Sequence, residues 1–317
     1  MTTLVLALLL SGSPVRPVAT YSIVARDPQT GQIGVAVQSH WFSVGSMVSW
    51  AEAGVGAVAT QSFVDPSYGP LGLDLMRSGK SAPEALRALL VIDEEQEVRQ
   101  VGMIDARGGL ATHTGRLCIP EAGGQTGAHY AVQANLMEKA SVWPAMARAF
   151  EQAPGDLAER MLAALDAAEA EGGDIRGRQS AALIVVGAEA SGRPWADRMF
   201  DLRVEDHSDP LAELRRLVGI QRAYNHMTAG DDCLAIRDWA CAEREYAAAR
   251  RLQPDNAEMS FWYAVSLAAN GELDTARPLF SQVFAADPRW RELVSRLPAA
   301  EQLPADPDLL QSILTIP

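Results

Sequence analysis

The chain has 317 residues, of which 48% are hydrophobic and 21% charged, and its formal net charge is −13. This composition excludes a largely disordered chain, and the length favours two domains. The negative charge argues against a nucleic-acid partner, because phosphate binding needs clustered lysine and arginine.

Residues 1–19 are similar to an export signal. An aliphatic run fills residues 4–10, too short for a membrane span of about 20 residues, and Ala19 ends a segment like a signal-peptidase site. No lysine or arginine precedes the run, and Pro17 stands where a small residue is usual. We expect an exported protein, periplasmic or secreted, without a membrane span. A cytoplasmic protein and a pro-segment that removes itself are the alternatives.

The segment at 20–38 predicts a β-hairpin. Residues 21–25 and 33–37 favour strands, and an Asp-Pro-Gln-Thr-Gly turn joins them. Cleavage after Ala19 would give Thr20 a free α-amine, whose reference pKa of about 7.7–8.0 lets it accept the proton of the threonine hydroxyl. Thr20 is therefore the expected catalytic nucleophile, with Ser22 as its competitor. The alternative is that Thr20 merely begins an edge strand.

The rest of the first domain alternates between strands and helices. A small-residue turn that leads into a buried strand is predicted at 51–61, and further strands are predicted at 99–105, 109–115, 131–136, 180–186 and 197–204. Helices are predicted at 71–77, 82–91, 141–152 and 156–171. Strands, two helices and strands again are the order that an α+β sandwich with outer helices requires.

Four motifs in this part resemble the DUF1028 family. They are TYSIVARD at 20–27, GVAVQS at 34–39, GVGAVATQ at 54–61 and GRQSAAL at 177–183. The resemblance covers residues 20–218 and implies the αββα four-layer sandwich of the N-terminal-nucleophile (Ntn) hydrolase superfamily, which we assign to 20–206. It implies no particular activity, because the family name itself records an unknown function.

Several side chains could complete a site around Thr20. Attack on an amide needs donors for the developing oxyanion, and Asn135, at a strand end, is the expected catalytic donor, as the Ntn resemblance implies. A simple turn asparagine is the alternative. Arg176, with Asp174 in a glycine-flanked loop, offers a planar fork for a substrate carboxylate, unless the two form a salt bridge that only orders the loop.

Further candidates for substrate binding are Gln61, Ser39 and His113. A histidine beside a strand is more often structural, and a terminal amine makes a histidine base unnecessary.

The cysteines give no sign of a metal. Cys118, Cys233 and Cys241 form no CxxC motif and no zinc-like pair with histidine, so we expect neither metal nor cofactor. Three small buried residues are the favoured interpretation. A Cys233–Cys241 disulfide is the alternative if the protein is exported, and Cys118 is a remote candidate nucleophile.

From residue 207 the pattern is helical, with a repeat of 34 residues. Ala242 matches Ala276, Tyr246 matches Phe280, and Pro254 matches Pro288. The segments at 221–256 and 257–290 therefore resemble tetratricopeptide repeats, with flanking helices at 211–218 and 306–316. We expect a small all-α module over 207–317 that can bind a protein partner.

Together these observations predict an amidohydrolase that cleaves a small amide or short peptide through an acyl-enzyme on Thr20. The alternative is a non-catalytic, ligand-binding Ntn-like domain joined to an interaction module. A homo-oligomer is compatible with either function.

Overall fold

A computed structural model describes Val18 and residues 20–317, so the predicted leader at 1–19 lies outside the described residues except for Val18. The chain is mixed α+β and divides into two compact units, Met1–Arg215 and Arg216–Pro317. The first unit contains two antiparallel sheets, and the described elements of the second are helices.

The first unit is built on ten strands in its described part. They are β1 (Thr20–Arg26), β2 (Ile33–Ser39), β3 (Ser49–Glu52), β4 (Gly56–Ser62), β5 (Arg99–Asp105), β6 (Leu110–Thr114), β7 (Gly123–Gly127), β8 (Tyr130–Asn135), β9 (Ser180–Val186) and β10 (Arg198–Val204). One sheet has six strands in the order β10-β9-β2-β1-β8-β7, and the other has four in the order β3-β4-β5-β6.

The predicted hairpin is confirmed and forms the centre of the six-stranded sheet. Strands β1 and β2 pair antiparallel with Thr20 opposite Ser39. On its other side β1 pairs with β8, which sets Thr20 opposite Asn135. Thr20 thus lies between Ser39 and Asn135, the polar last residues of β2 and β8.

The first unit has five α-helices in its described part, and four of them cover the outer faces of the sheets. The five are α1 (Gly45–Val48), α2 (Tyr68–Arg77), α3 (Ala82–Ile92), α4 (Val142–Gln152) and α5 (Leu157–Ala170). Helices α2 and α3 pack on the four-stranded sheet, whereas α4 and α5 pack on the six-stranded sheet. The inner faces of the two sheets meet, since β1 and β2 both contact β4.

Most predicted elements of this unit are confirmed within a few residues, and four elements were missed, one of them a short 3₁₀ helix at Gln96–Val98. Helix α1 and strand β3 are only four residues long each, too short for a periodic pattern. Strand β7 has the sequence GGQTG, and glycine is depleted in strands because it supplies no side chain for packing.

The second unit begins within helix α6 (Pro210–Ala235). It is followed by α7 (Trp239–Leu252), α8 (Ala257–Ala269), α9 (Leu273–Ala286), α10 (Arg289–Val294) and α11 (Pro307–Leu314). The prediction of a separate helix at 211–218 is wrong, because α6 runs through it without a break. One glycine such as Gly219 weakens a helix by only about 1 kcal/mol, so it does not end the helix.

Aromatic rings pack between the helices of the second unit. Tyr246 on α7 stacks on Tyr263 on α8, with ring centroids 4.3 Å apart. Cys233 and Cys241 form a disulfide between α6 and α7, with Cα atoms 5.7 Å apart. The interpretation of all three cysteines as unpaired apolar residues is therefore wrong for these two, whereas Cys118 is free and buried.

No helix in the described part of the chain is both long enough and apolar enough to cross a membrane.

Candidate functional site

Uncharged polar side chains are buried where the two sheets meet, at the end of the sandwich where β1 begins. We call this group the polar cluster. Its members are Thr20, Ser22, Ser39, Gln61, Gln100, Gln133 and Asn135. Each has at most 1% of its surface exposed. Buried polar groups are destabilising unless hydrogen-bonded, so the bonds within the cluster decide what it can do.

Strand alternation explains why the cluster sits at one end. In β1 the side chains of Thr20, Ser22 and Val24 point to the same face, because side chains alternate along a strand. Val24 belongs to an apolar cluster that fills the remaining space between the sheets, together with Val35 and Ala57. The inner face of β1 is therefore polar at its beginning and apolar beyond.

Thr20 makes hydrogen bonds through both its side chain and its backbone. Its hydroxyl Oγ1 lies 2.9 Å from the carbonyl oxygen of Val18 and 3.1 Å from Ser39 Oγ. Its own carbonyl accepts a hydrogen bond from Gln61 Nε2 at 3.0 Å. The structure therefore brings three of the sequence-predicted residues, Thr20, Ser39 and Gln61, into direct contact.

Asn135 is held from the opposite sheet. Its Nδ2 donates to Gln100 Oε1 at 2.9 Å, and the same oxygen accepts from Gln61 Nε2 at 2.7 Å. Because a carboxamide nitrogen carries two hydrogens, one N–H of Asn135 is left to serve another acceptor. The oxygen Oδ1 of Asn135 is buried and has no hydrogen-bond partner among the described residues.

Two glutamines were missed by the sequence analysis. Gln100 Nε2 donates to the carbonyl of Ala134 at 2.9 Å and to Thr114 Oγ1 at 2.9 Å. Gln133 Nε2 donates to the carbonyl of Ala59 at 3.1 Å, while its Oε1 is buried without a partner in the described chain. The signal that could have found them is an amide at an inward position near the end of a predicted strand.

The loop with Asp174 lies beside the end of β8, through a backbone bridge between Met137 and Asp174. The side chain of Asp174 is fully buried and accepts from Arg176 Nη2 at 2.8 Å. It also accepts from the backbone N–H of His40 at 3.2 Å. These bonds fit the alternative in which Asp174 and Arg176 order the loop.

His113 faces away from the cluster. On β6 its neighbour Thr114 contacts Gln100, so alternation turns His113 to the opposite face of the sheet. There His113 Nε2 lies 2.8 Å from the carbonyl oxygen of Gln96. The structure does not bring His113 together with Thr20.

Cys118 is a poor nucleophile in this environment. Burial raises the pKa of its thiol, and Sγ lies 3.3 Å from the carbonyl oxygen of Arg99. A protonated, buried thiol is inert, because the thiolate is the reactive form.

An open cavity of about 660 Å³ lies next to the polar cluster. Thr114 and Gly123 both line it and both accept hydrogen bonds from Gln100 Nε2. Only Thr114 and Gly123 would lie between a small molecule bound there and Gln100 of the polar cluster. Among the described residues, no group of three or more His, Cys, Asp or Glu side chains could hold a metal ion.

The chain is similar to a family of proteins and to solved structures. A model described as a family of unknown function, DUF1028, matches residues 20–214. The chain is also similar to the crystal structure of protein SPO2555 from Silicibacter pomeroyi, whose family model is DUF1028. The two are 29% identical over 71% of this chain and 94% of that chain, with a TM-score of 0.57. No curated protein matches this chain.

Proposed function

This chain belongs to the DUF1028 family, and we propose that its first domain, residues 20–206, is an Ntn amidohydrolase with Thr20 as the nucleophile. The observation that carries the proposal is the position of Thr20. It is the first residue of the central strand β1, and its hydroxyl lies within 3.1 Å of Ser39 Oγ, in a buried cluster of amide and hydroxyl groups.

The layer order supports an αββα Ntn-type sandwich. Two antiparallel sheets face each other, with α2 and α3 outside one sheet and α4 and α5 outside the other. In such a fold the nucleophile is the first residue of a strand, which is where Thr20 stands in β1.

In the proposed reaction, removal of residues 1–19 frees the α-amine of Thr20. The amine takes the proton of Oγ1 as Oγ1 bonds to the amide carbon of the substrate, and it then passes that proton to the leaving nitrogen as the C–N bond breaks. The same amine then deprotonates a water molecule as the water oxygen bonds to the carbonyl carbon of the ester. As the bond between that carbon and Oγ1 breaks, the amine returns the proton to Oγ1, and the acid is released. The second N–H of Asn135 is a candidate donor to the oxyanion.

The substrate class is a small amide or a short peptide, because the neighbouring groups are neutral amides and hydroxyls. Arg176 and Asp174, in the loop beside β8, are proposed to bind the substrate at the rim of the site. The Cys233–Cys241 disulfide supports export of the protein, because disulfides persist in oxidising compartments.

For the second domain, residues 207–317, we propose a tetratricopeptide-like module that binds a protein partner. Helices α7 to α9 follow one another through short turns, and the rings at matching positions of the 34-residue repeat, Tyr246 and Phe280, pack against Tyr263 and Phe261. A cavity of about 770 Å³ lies in this unit, lined by residues that include Tyr224, Met259 and Trp262.

The complete enclosure of Thr20 favours a second candidate function. Its side chain is 0% exposed and hydrogen-bonded to Ser39 within the cluster, as expected for a structural residue. In that case the first domain binds a ligand without cleaving it.

Two Thr20 variants separate these functions. We expect a chain that starts at Thr20 to release amine from short acylated amides, the Thr20→Ala variant to lose this activity by at least a hundredfold, and Thr20→Ser to retain part of it. Equal turnover by wild type and Thr20→Ala, with both proteins folded, would reject the catalytic role.

A further inference from the structure

Val18 and Ser62 form a backbone bridge beside Thr20. The Val18 N–H donates to the Ser62 carbonyl at 2.6 Å, and the Ser62 N–H donates to the Val18 carbonyl at 3.0 Å. These two reciprocal hydrogen bonds are the pattern of one hydrogen-bonded residue pair in an antiparallel sheet. Val18 is 0% exposed, and its side chain belongs to the apolar cluster between the sheets.

The carbonyl oxygen of Val18 is shared between two groups. Ser62 N lies 3.0 Å from it, and Thr20 Oγ1 lies 2.9 Å from it. A carbonyl at this place therefore accepts a backbone hydrogen bond on its oxygen, and the hydroxyl of the proposed nucleophile is hydrogen-bonded to the same oxygen. Those are the two partners that acyl transfer from an amide requires.

Ser62 holds an uncommon backbone conformation at this point. Its φ is 71°, a left-handed value that few residues other than glycine adopt. Such a conformation persists only when its surroundings fix it, and it is typical of functional sites.

Bonds on the next residue fix the Ser62 backbone. The carbonyl of Phe63 accepts from Arg99 Nη1 at 2.7 Å, and Arg99 Nε in turn donates to Asp93 at 2.9 Å. The N–H of Phe63 donates to the carbonyl of Val98 at 3.3 Å. These bonds hold the backbone N–H of Ser62 in place, and none of them involves Val18.

We propose that Val18 occupies the acyl subsite of the proposed hydrolase, and that the backbone of Ser62 is its anchor and its oxyanion donor. The proposal rests on the proposed function and adds a substrate class to it. When residues 1–19 are removed, the subsite offers an N–H, a carbonyl and an apolar space that held a valine. The substrates are accordingly amides or peptides of an N-acylated amino acid. The side chain of that amino acid is small, branched and apolar, its own N–H is free to donate, and its carbonyl carbon is the one that Thr20 attacks.

The chemistry at Ser62 involves no proton transfer. As Oγ1 of Thr20 bonds to the substrate carbon, negative charge grows on the carbonyl oxygen, and the Ser62 N–H shortens its hydrogen bond to that oxygen. The proton of Oγ1 goes to the α-amine and then to the leaving nitrogen, as in the proposed function. The second bond, from the substrate N–H to the Ser62 carbonyl, fixes the orientation of the acyl residue.

Binding tests the subsite without catalysis. The Thr20→Ala variant of the chain 20–317 is released from a folded fusion protein, and its fold is checked by circular dichroism. It is then titrated with N-acetylvalinamide. We expect N-acetyl-N-methylvalinamide, which lacks the valine N–H, and N-acetylaspartic acid amide to bind at least tenfold more weakly. The uncleaved chain should not bind N-acetylvalinamide, because Val18 fills the subsite.

A matched variant distinguishes the Ser62 backbone from its side chain. Ser62→Gly keeps the N–H and suits the positive φ, so the discrimination against the N-methyl compound should persist. Loss of that discrimination in Ser62→Gly would overturn the backbone role.

Turnover separates failure of the subsite from failure of the enzyme. With wild-type Thr20, N-acetylvaline anilide should be cleaved with at least tenfold higher kcat/KM than the N-methylvaline and aspartate anilides. Cleavage that depends on Thr20 but shows no such preference overturns the subsite and leaves the hydrolase intact. Selective binding of N-acetylvalinamide without cleavage of any anilide supports the subsite and overturns the hydrolase. Absence of selective binding overturns the subsite.

Discussion

Asn135 on the six-stranded sheet donates through Nδ2 to Oε1 of Gln100 on the four-stranded sheet, over 2.9 Å. This bond joins the two sheets directly beside Thr20, and Gln100 Oε1 also accepts from Gln61. Gln100 is therefore the residue on which the geometry of the cluster depends.

Gln100→Leu should destabilise the protein by about 2–4 kcal/mol, because it leaves the buried N–H groups of Gln61 and Asn135 without an acceptor. Urea unfolding measures the change. Gln29→Leu, at an exposed position in the hairpin turn, is the control and should shift stability by no more than about 0.5 kcal/mol. Equal effects of the two substitutions would contradict the role assigned to Gln100.

Asp93 and Arg99 should make the stability of the first unit depend on pH. Burial raises the pKa of the Asp93 carboxyl, but hydrogen bonds from Arg99, the Glu95 backbone and Tyr68 outweigh it, and the net pKa is lowered. A pKa lowered by folding adds stability that is fully present above the unfolded value of about 3.9. That stability is lost as pH falls through the folded pKa.

Asp93→Asn should therefore lower stability by about 1–3 kcal/mol at pH 7, through loss of the charged hydrogen bonds. The difference from wild type should shrink below pH about 4. Urea unfolding between pH 2 and pH 7 measures both effects, with the exposed neighbour variant Glu94→Gln as the control. A difference that stays constant down to pH 2 would show that Asp93 acts by packing alone.

The Cys233–Cys241 disulfide should stabilise the second unit. It closes a short loop with a sequence separation of 8, for which chain entropy predicts about 2–3 kcal/mol. The double variant Cys233→Ser/Cys241→Ser should unfold at a correspondingly lower urea concentration.

Alkylation of the denatured, unreduced protein provides the control for the disulfide. Mass spectrometry should find one modified cysteine, Cys118, and three after reduction. Three alkylated cysteines without reduction, in protein made in an oxidising compartment, would disprove the disulfide.

Two glycines of α6 should respond to alanine in opposite ways. A Cβ at Gly230 would lie 2.9 Å from ring atoms of Tyr246, whereas a Cβ at Gly219 would meet nothing within 4 Å. Gly219→Ala should stabilise the protein by about 0.5–1 kcal/mol through helix propensity. Gly230→Ala should destabilise it, because the buried ring of Tyr246 must move.

Thermal unfolding of the two glycine variants decides this point. A gain in stability for Gly230→Ala as large as that for Gly219→Ala would contradict the close packing of α6 on α7.

Local patterns in the sequence predicted the hairpin, the longer helices of the first unit and the position of Thr20, because periodicity and turn residues act over a few positions. The pairing of Thr20 with Asn135 depends on the register between β1 and β8, which no local pattern encodes. His113 was misjudged for a similar reason. Leu110 and Ala111 are both apolar, so alternation alone could not tell which face of β6 is inward.

The conformation of Ser62 was also beyond the sequence. A left-handed backbone is normally signalled by glycine or asparagine, and here a serine adopts it because Arg99 and Val98 hold the backbone of the next residue, Phe63. Distant contacts, rather than residue type, set this part of the site.

The intact mass and N-terminal sequence of the protein purified from its native host test the central claim most directly. If Thr20 is the nucleophile and its α-amine the base, the mature chain begins at Thr20. A mature chain that retains any residue of 1–19 would block that amine and contradict the proposed mechanism.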